Sequence, residues 1–208
     1  MNRKAIYLIL LSILLLTGCA SLNGNVPFQY QPSLSASDNK IDKSVGMVML
    51  KDNRPKDDVD NTKSIKDLPE KVTAKLLEDF KDSEIFTEIH NRKKAEDDLV
   101  ISGTINRFKW KATPSPLSFI PILSLLQLFG APTYTIKGEA EITLKIKDNK
   151  TGKILKSFTE ASEATNTYNI YNFKAGDAGA ELSEAFRDVA KQLKESILSK
   201  LEFEKIAE

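Results

Sequence analysis

The chain has 208 residues, of which 30 are Lys or Arg and 29 are Asp or Glu, so its formal net charge is +1. A chain this close to neutrality lacks the basic surface that nucleic-acid binding requires. Its single cysteine excludes an intramolecular disulfide, and its single histidine leaves the usual zinc ligand sets incomplete.

The N-terminus carries the features of an export signal. Arg3 and Lys4 precede an apolar run, residues 5–16, that only Ser12 interrupts. As a helix this run would cover about 18 Å, whereas the hydrocarbon core of a bilayer is about 30 Å thick. The pattern therefore predicts a signal peptide over residues 1–18 rather than a transmembrane anchor.

The apolar run ends in Leu16-Thr17-Gly18-Cys19, which resembles the lipobox of bacterial lipoproteins. The resemblance implies that residues 1–18 are removed, that the Cys19 sulfur carries diacylglycerol and that the new N-terminus is acylated. Two or more acyl chains anchor a protein stably, so the membrane is an expected partner through this covalent lipid. No other cofactor is expected. The alternative is an ordinary signal peptide that happens to contain a cysteine.

Ala20 and Ser21 follow the cysteine, where an aspartate tends to retain lipoproteins at the inner membrane. In a Gram-negative organism we therefore expect a periplasm-facing protein anchored in the outer membrane. Residues 19–43 have no apolar periodicity and contain several serines and two prolines, which predicts a flexible tether. Val26, Phe28 and Tyr30 alternate, so part of the tether could instead dock as an edge strand.

Residues 44–208 are expected to form a single domain. Residues 45–50 are a short apolar run typical of a buried strand, and Asp52-Asn53-Arg54-Pro55 ends it. The polar stretch 56–66 predicts a mobile loop. A helix should begin with Asp67 as its capping residue and end near residue 83. Its apolar positions recur at helical spacing: Val72, Leu76, Leu77 and Phe80.

Two further strands are expected at 85–89 and 99–111. In the second, the apolar residues up to Ile105 share one phase of the alternation, and Phe108 and Trp110 fall on the other. This change of phase predicts either a bulge near Arg107 or a strand that is covered on both faces.

The clearest strand covers 134–147, where apolar and polar residues alternate strictly. Asp148-Asn149-Lys150-Thr151-Gly152-Lys153 predicts a turn, and the chain returns to about residue 168 as a long hairpin. A final helix of about 25 residues has its apolar stripe at Leu182, Phe186, Val189, Leu193, Ile197 and Leu201. The fold class is therefore α+β, an antiparallel or mixed sheet of four to five strands with two helices packed on one face.

Candidate catalytic and metal-binding groups are few. His90 lies beside Asn91, Arg92 and Lys93, as a surface histidine does, and lipidation would remove Cys19 as its partner. The aspartates at 57, 58 and 60 fail as a calcium loop, because Lys63 stands where glycine is needed and Pro69 where glutamate is needed. We therefore expect neither an enzyme nor a metal site.

The most apolar stretch of the mature chain is an insertion, residues 114–132, between the two best strands. It is too short to span a bilayer. One interpretation is a short helix that fills the core. The other is an exposed segment that docks to a membrane or a protein, since exposed apolar patches mark such sites. Its candidate docking residues are Phe119, Ile120, Ile122, Leu123, Leu125, Leu126, Leu128 and Phe129.

The order of elements, with the Asp52-Asn53-Arg54 and 148–153 turns, resembles a group of small envelope lipoproteins. This group includes the curli-secretion lipoprotein, penicillin-binding-protein activators and exopolysaccharide-export lipoproteins. The resemblance implies a binding, scaffolding or pore-forming role, in some cases as a homo-oligomer.

The leading hypothesis is a non-enzymatic, membrane-anchored accessory, scaffold or assembly subunit that binds another envelope component. The alternative is a lipid-binding auxiliary component of an envelope transporter, which would hold acyl chains against Phe108, Trp110 and the apolar insertion.

Overall fold

The computed structural model describes residue 28, residues 40–172 and residues 177–202, apart from the side chains at 177, 178 and 202. Within these ranges one mixed sheet contains six strands. The strands are β1 (Ile41–Met47), β2 (Lys51–Asp52), β3 (Phe86–His90), β4 (Leu99–Pro114), β5 (Tyr134–Asp148) and β6 (Ile154–Tyr168).

The strands lie in the order β3-β1-β4-β5-β6, and β2 pairs with β4 beyond the end of β1. The pairs β1–β3, β1–β4 and β2–β4 are parallel, whereas β4–β5 and β5–β6 are antiparallel. The sheet is therefore mixed, as one of the two predicted forms had it, but it has six strands where four to five were expected. The additional strand is the two-residue β2, which is too short to produce a periodic signal.

Four α-helices occur in the described ranges instead of the two that were predicted. They are α1 (Lys56–Asn61), α2 (Leu68–Asp82), α3 (Pro121–Ser124) and α4 (Asp177–Glu202). Helix α1 lies in the stretch expected to be a loop, and Asp57 and Asp58 in its first turn favour the helix through its dipole. Helix α3 is one turn inside the apolar insertion.

Asp67 is the residue that precedes α2, as predicted, but the capping bond expected from its side chain is not formed. Asp67 adopts a left-handed backbone conformation with φ 54°, and its side chain makes no capping hydrogen bond. Its carbonyl oxygen still accepts a bond of 3.0 Å from the N–H of Lys71, which begins the helix. The predicted end of the helix near residue 83 is confirmed by Ser83, its last flanking residue.

The change of phase in β4 is a bulge, as one of the two alternatives predicted. Ile105 pairs with Ile142 and Arg107 pairs with Glu141, so Asn106 has no partner position on β5. The additional residue turns Phe108 toward the same face as Ile105. Phe108 is consequently fully buried in the core.

The core lies between one face of the sheet and helices α2 and α4. The inward residues of β5, from Ala140 to Ile146, join the apolar stripes of both helices in one buried cluster. Helix α4 approaches β5 closely at Gly138, where a Cβ atom would overlap the α4 backbone at Glu181 and Leu182. The two helices are also joined by a buried ion pair of 2.9 Å between Lys194 and Asp79.

Candidate functional site

The apolar insertion connects the ends of β4 and β5 as three short helical turns. Residues Pro116–Phe119 and Leu125–Phe129 form 3-10 turns, with α3 between them. Pro116 and Pro121 occupy first helical positions, where a missing N–H costs nothing. Gly130 ends the last turn with φ 90°, a conformation that suits glycine.

The side chains of this insertion lie at the surface. Phe119, Ile122 and Phe129 are 74%, 79% and 86% exposed, and Ile120, Leu125, Leu126 and Leu128 are also exposed. Leu123 is half-buried. The interpretation that this stretch fills the core is therefore wrong. The physical reason is that the inward face of β5 is already covered by α4.

The insertion is fastened to the end of the sheet. The N–H of Ser115 donates to the carbonyl of Thr133 at 2.8 Å, and the N–H of Thr133 donates to the carbonyl of Tyr168 at 2.7 Å. Beyond β6, the Tyr171 hydroxyl donates to the carbonyl of Leu128. The sheet therefore holds the segment that carries the exposed apolar side chains, which we call the apolar tip (residues 117–129).

Cys19, the predicted lipidation site, lies outside the described residues. Of the predicted tether, residues 19–43, the structure describes Phe28 and residues 40–43, and β1 begins inside this stretch at Ile41. The Phe28 ring makes edge-to-face contacts with Phe108 and Phe186, at centroid distances of 5.3 and 5.4 Å. Phe28 therefore docks on the core through its side chain, although it is not part of a strand.

His90 is not the free surface histidine that the sequence predicts. Its Nδ1 atom lies 2.7 Å from a carboxylate oxygen of the buried Asp97. Asp97 also accepts the Lys94 N–H at 2.6 Å, so the pair ties β3 to the loop that precedes β4. Ser44, on the neighbouring strand, donates its hydroxyl to Asp98 instead. Among the described residues, no hydroxyl or thiol bonds to His90.

Asp98 is a structural residue that sequence reasoning missed. Its carboxylate accepts the Ser44 backbone N–H at 3.0 Å, and this bond holds the pKa of Asp98 below its ordinary value. The Ser44 hydroxyl and the charges of Lys43 and Lys150 act in the same direction. The contact secures the start of β4 against β1.

The two turn motifs also have structural roles. The Arg54 guanidinium donates to Asp52 at 2.7 and 2.8 Å and to Thr62 at 2.6 Å, and its hydrogen bonds lower the pKa of Asp52. Asn149 donates to the carbonyls of Lys94 and Asp97 at 3.0 and 2.7 Å. Both motifs join loops, and neither brings reactive groups together.

Of the acidic loop residues, Asp58 lies in α1 and pairs with Lys109 at 3.3 Å. In the described ranges, no group of three or more His, Cys, Asp or Glu side chains is placed to hold a metal ion. No helix in the same ranges is long and apolar enough to cross a membrane.

The structure thus defines a small α+β domain that carries a fastened, exposed apolar tip at one end of a mixed sheet. No protein-family model and no curated protein sequence matches the chain. Solved structures do resemble it. Protein XCC0632 from Xanthomonas campestris, assigned to the family model DUF330, has a TM-score of 0.55 and is 8% identical, over 85% of this chain and 96% of that chain.

The putative neuraminyllactose-binding hemagglutinin homolog from Helicobacter pylori has a TM-score of 0.51 and is 14% identical, over 86% of this chain and 97% of that chain. Uncharacterized lipoprotein B from Nitrosomonas europaea has a TM-score of 0.45 and is 10% identical, over 85% and 94%. That last score is too low to support an argument. At these identities the first two likenesses establish the fold alone.

Proposed function

We propose that this chain is a non-enzymatic lipoprotein of the bacterial cell envelope. It is anchored through a lipid on Cys19 to the outer membrane, faces the periplasm, and acts as an accessory, scaffold or assembly subunit. It binds another envelope component through the apolar tip. The observation that carries the proposal is the exposure of Phe119, Ile122 and Phe129 on a segment that hydrogen bonds fasten to the sheet.

Binding through the tip would remove exposed apolar side chains from water. Full burial of one large apolar side chain contributes roughly 1.5–3 kcal/mol. Seven of the eight candidate docking residues are exposed, so covering even three of them offsets much of the cost of association. Because the tip is held by the sheet, little further ordering of its backbone is needed on binding.

The lipid anchor is tested separately from the tip. Labelled palmitate should enter the native chain and should not enter a Cys19→Ser variant. An inhibitor of the lipoprotein signal peptidase should cause a precursor that retains residues 1–18 to accumulate. Label in the Cys19→Ser variant, or none in the native chain, would show that the lipobox resemblance is misleading.

The docking function is tested by photo-cross-linking in intact cells. A photoreactive amino acid replaces Phe129 in the full-length chain, and the matched control replaces Ile154, an exposed apolar residue at the opposite end of the sheet. The expected result is a defined adduct with lipid or with one protein from position 129 alone. Equal labelling from both positions, or none from either, would contradict the proposal.

The alternative, an auxiliary lipid-binding component of an envelope transporter, gains no support from a specific contact. Phe108, one of the residues proposed to hold acyl chains, is fully buried beneath Phe28 and Phe186. An acyl chain would reach it only if Phe28 moved away. Extraction of the purified mature protein, followed by mass spectrometry, checks for non-covalent lipid.

A further inference from the structure

In the described part of the chain, the strand ends that carry the apolar tip contain no charged residue. Residues 112–136 contain no Asp, Glu, Lys or Arg, and neither do residues 164–172 on and after β6. In a chain where 28% of residues are charged, this leaves the described hairpin arms at this end of the sheet without charge. Glu181 of α4 accepts a hydrogen bond from the Tyr168 hydroxyl at this end, but it is buried. Surfaces that remain in contact with water ordinarily carry interspersed charges.

A row of charges marks the boundary of this end. Lys111 on β4 lies directly opposite Lys137 on β5. Lys137 pairs with Glu163 at 2.5 Å and Glu139 at 3.3 Å, and these contacts raise the pKa of Lys137. Lys111 is exposed and, among the described residues, makes no ion pair. Because Lys137 is already paired with two carboxylates, Lys111 is the cation of this row that can contact an anionic surface.

Tyrosines lie between the lysine row and the tip. Tyr134 is the first residue of β5, and Tyr171 follows β6 and is 70% exposed. From the end of the sheet inward, the molecule presents apolar side chains, then tyrosines, then lysines. Residues contact a bilayer in the same order from the acyl chains outward. A protein interface has no such order along one direction, because its apolar core is surrounded by a polar rim.

The length of chain between Cys19 and Phe28 allows this end of the sheet to lie near the proposed anchor. Phe28 is docked against Phe108 on β4, and it lies nine positions after Cys19. Nine residues reach at most about 30 Å when extended. The strand from Phe108 to Pro114 advances about 20 Å toward the tip. The tip can therefore reach the same membrane surface in which acyl chains on Cys19 would lie.

We infer that the apolar tip inserts into the interfacial region of the phospholipid bilayer that holds the lipid anchor. This inference rests on the function proposed above and names the component that the tip binds. Phe119, Ile122 and Phe129 enter the acyl boundary, the tyrosines lie among the headgroups, and Lys111 contacts anionic phosphates. The sheet then stands on the membrane, with the 149–153 turn pointing away from it.

The experiment uses the mature chain, residues 19–208, with Cys19→Ser so that binding does not depend on acylation. This chain contains no cysteine, so Phe129→Cys or, as the matched control, Ile154→Cys accepts one environment-sensitive fluorophore. The probe is a vesicle of phosphatidylethanolamine with about one-fifth phosphatidylglycerol. The label at 129 should shift to shorter wavelength on vesicle addition, and the label at 154 should not.

Substitutions test the two layers separately. Ile122→Ser and Phe129→Ser should each lower the vesicle partition coefficient about tenfold or more, and Ile154→Ser should leave it unchanged. Lys111→Gln should lower it about fivefold on vesicles with phosphatidylglycerol and leave it unchanged on purely zwitterionic vesicles. Circular dichroism checks that each variant is folded.

Two results would overturn the inference. The first is an unshifted label at position 129 at saturating vesicle concentration. The second concerns the Phe129→Ser variant. The inference fails if this substitution leaves the vesicle partition coefficient unchanged but converts an oligomer of the chain to a monomer. If the chain does not bind vesicles but cross-linking from position 129 in cells yields one protein, the inference fails and the proposed function stands. If neither vesicle nor cellular partner is found, both fail.

Discussion

Replacement of the apolar tip by a tight turn should leave the domain folded. The change removes residues 116–132 and joins Ser115 to Thr133 through Asn-Gly. Ser115 and Thr133 already share a backbone hydrogen bond of 2.8 Å, so they can flank a two-residue hairpin turn. Asn-Gly is the preferred sequence for such a turn because both residues adopt positive φ.

The expected change in the free energy of unfolding follows from the interactions that the tip contributes to the fold. The replacement removes the bonds from Tyr171 to Leu128 and from Asn169 to Gly130, which together are worth about 1–3 kcal/mol. Shortening the connection from 17 residues to two returns about 2 kcal/mol of loop entropy. The free energy of unfolding should therefore change by no more than about 2 kcal/mol.

Urea unfolding followed by circular dichroism measures the change, with linear extrapolation to water. Ile142→Ala is the control for damage to the core, since Ile142 is fully buried and its truncation should cost about 2–5 kcal/mol. A replacement variant that unfolds, or that loses more than Ile142→Ala, would refute the conclusion that the tip lies outside the core. A folded variant that no longer binds vesicles would separate folding from docking.

Four other changes test the packing. Phe28→Ala should cost about 2 kcal/mol in urea unfolding, because the ring packs on two buried aromatic rings. Gly138→Ala should cost more than about 2 kcal/mol, because its methyl group would overlap the α4 backbone. Lys194→Met removes the cation that neutralises the buried Asp79 and should cost about 3–5 kcal/mol. The lowered pKa of Asp98 stabilises the fold fully above about pH 4, and this stability is lost as the pH falls through that lowered value. Asp98→Asn should therefore flatten the acid limb of a stability–pH curve.

The periodic elements could be predicted from the sequence because their signals are local. Strict alternation over 134–147 predicted the strand that the structure shows at Tyr134–Asp148. The change of phase at Arg107 indicated the bulge. The helical spacing from Leu182 to Ile197 likewise matches the buried face of α4. Each pattern records one side chain after another facing the same core.

Features that depend on residues far apart in the chain gave no such signal. The two residues of β2 are too few to show a period, and only their pairing with Thr104 and Ile105 makes them a strand. His90 looked like a surface residue beside three polar neighbours, but a loop returns Asp97 to it. The exposure of the apolar tip was equally undetermined, because composition is the same for a buried helix and a docking segment.

Phe28 links the tether to the core of the domain. A tether that is free from Cys19 to Ile41 has 22 residues and a mean span of about 26 Å, whereas nine residues from Cys19 to a docked Phe28 span about 16 Å. Effective concentration falls roughly as the −3/2 power of linker length. Docking of Phe28 would therefore raise the effective concentration of the tip at an anchoring membrane about fourfold. If Cys19 carries the lipid, this one aromatic contact shortens the tether and keeps the charge-free end of the sheet near the membrane. The acyl chains on Cys19 would then supply stable attachment, and the apolar tip would fix the orientation of the domain on the membrane.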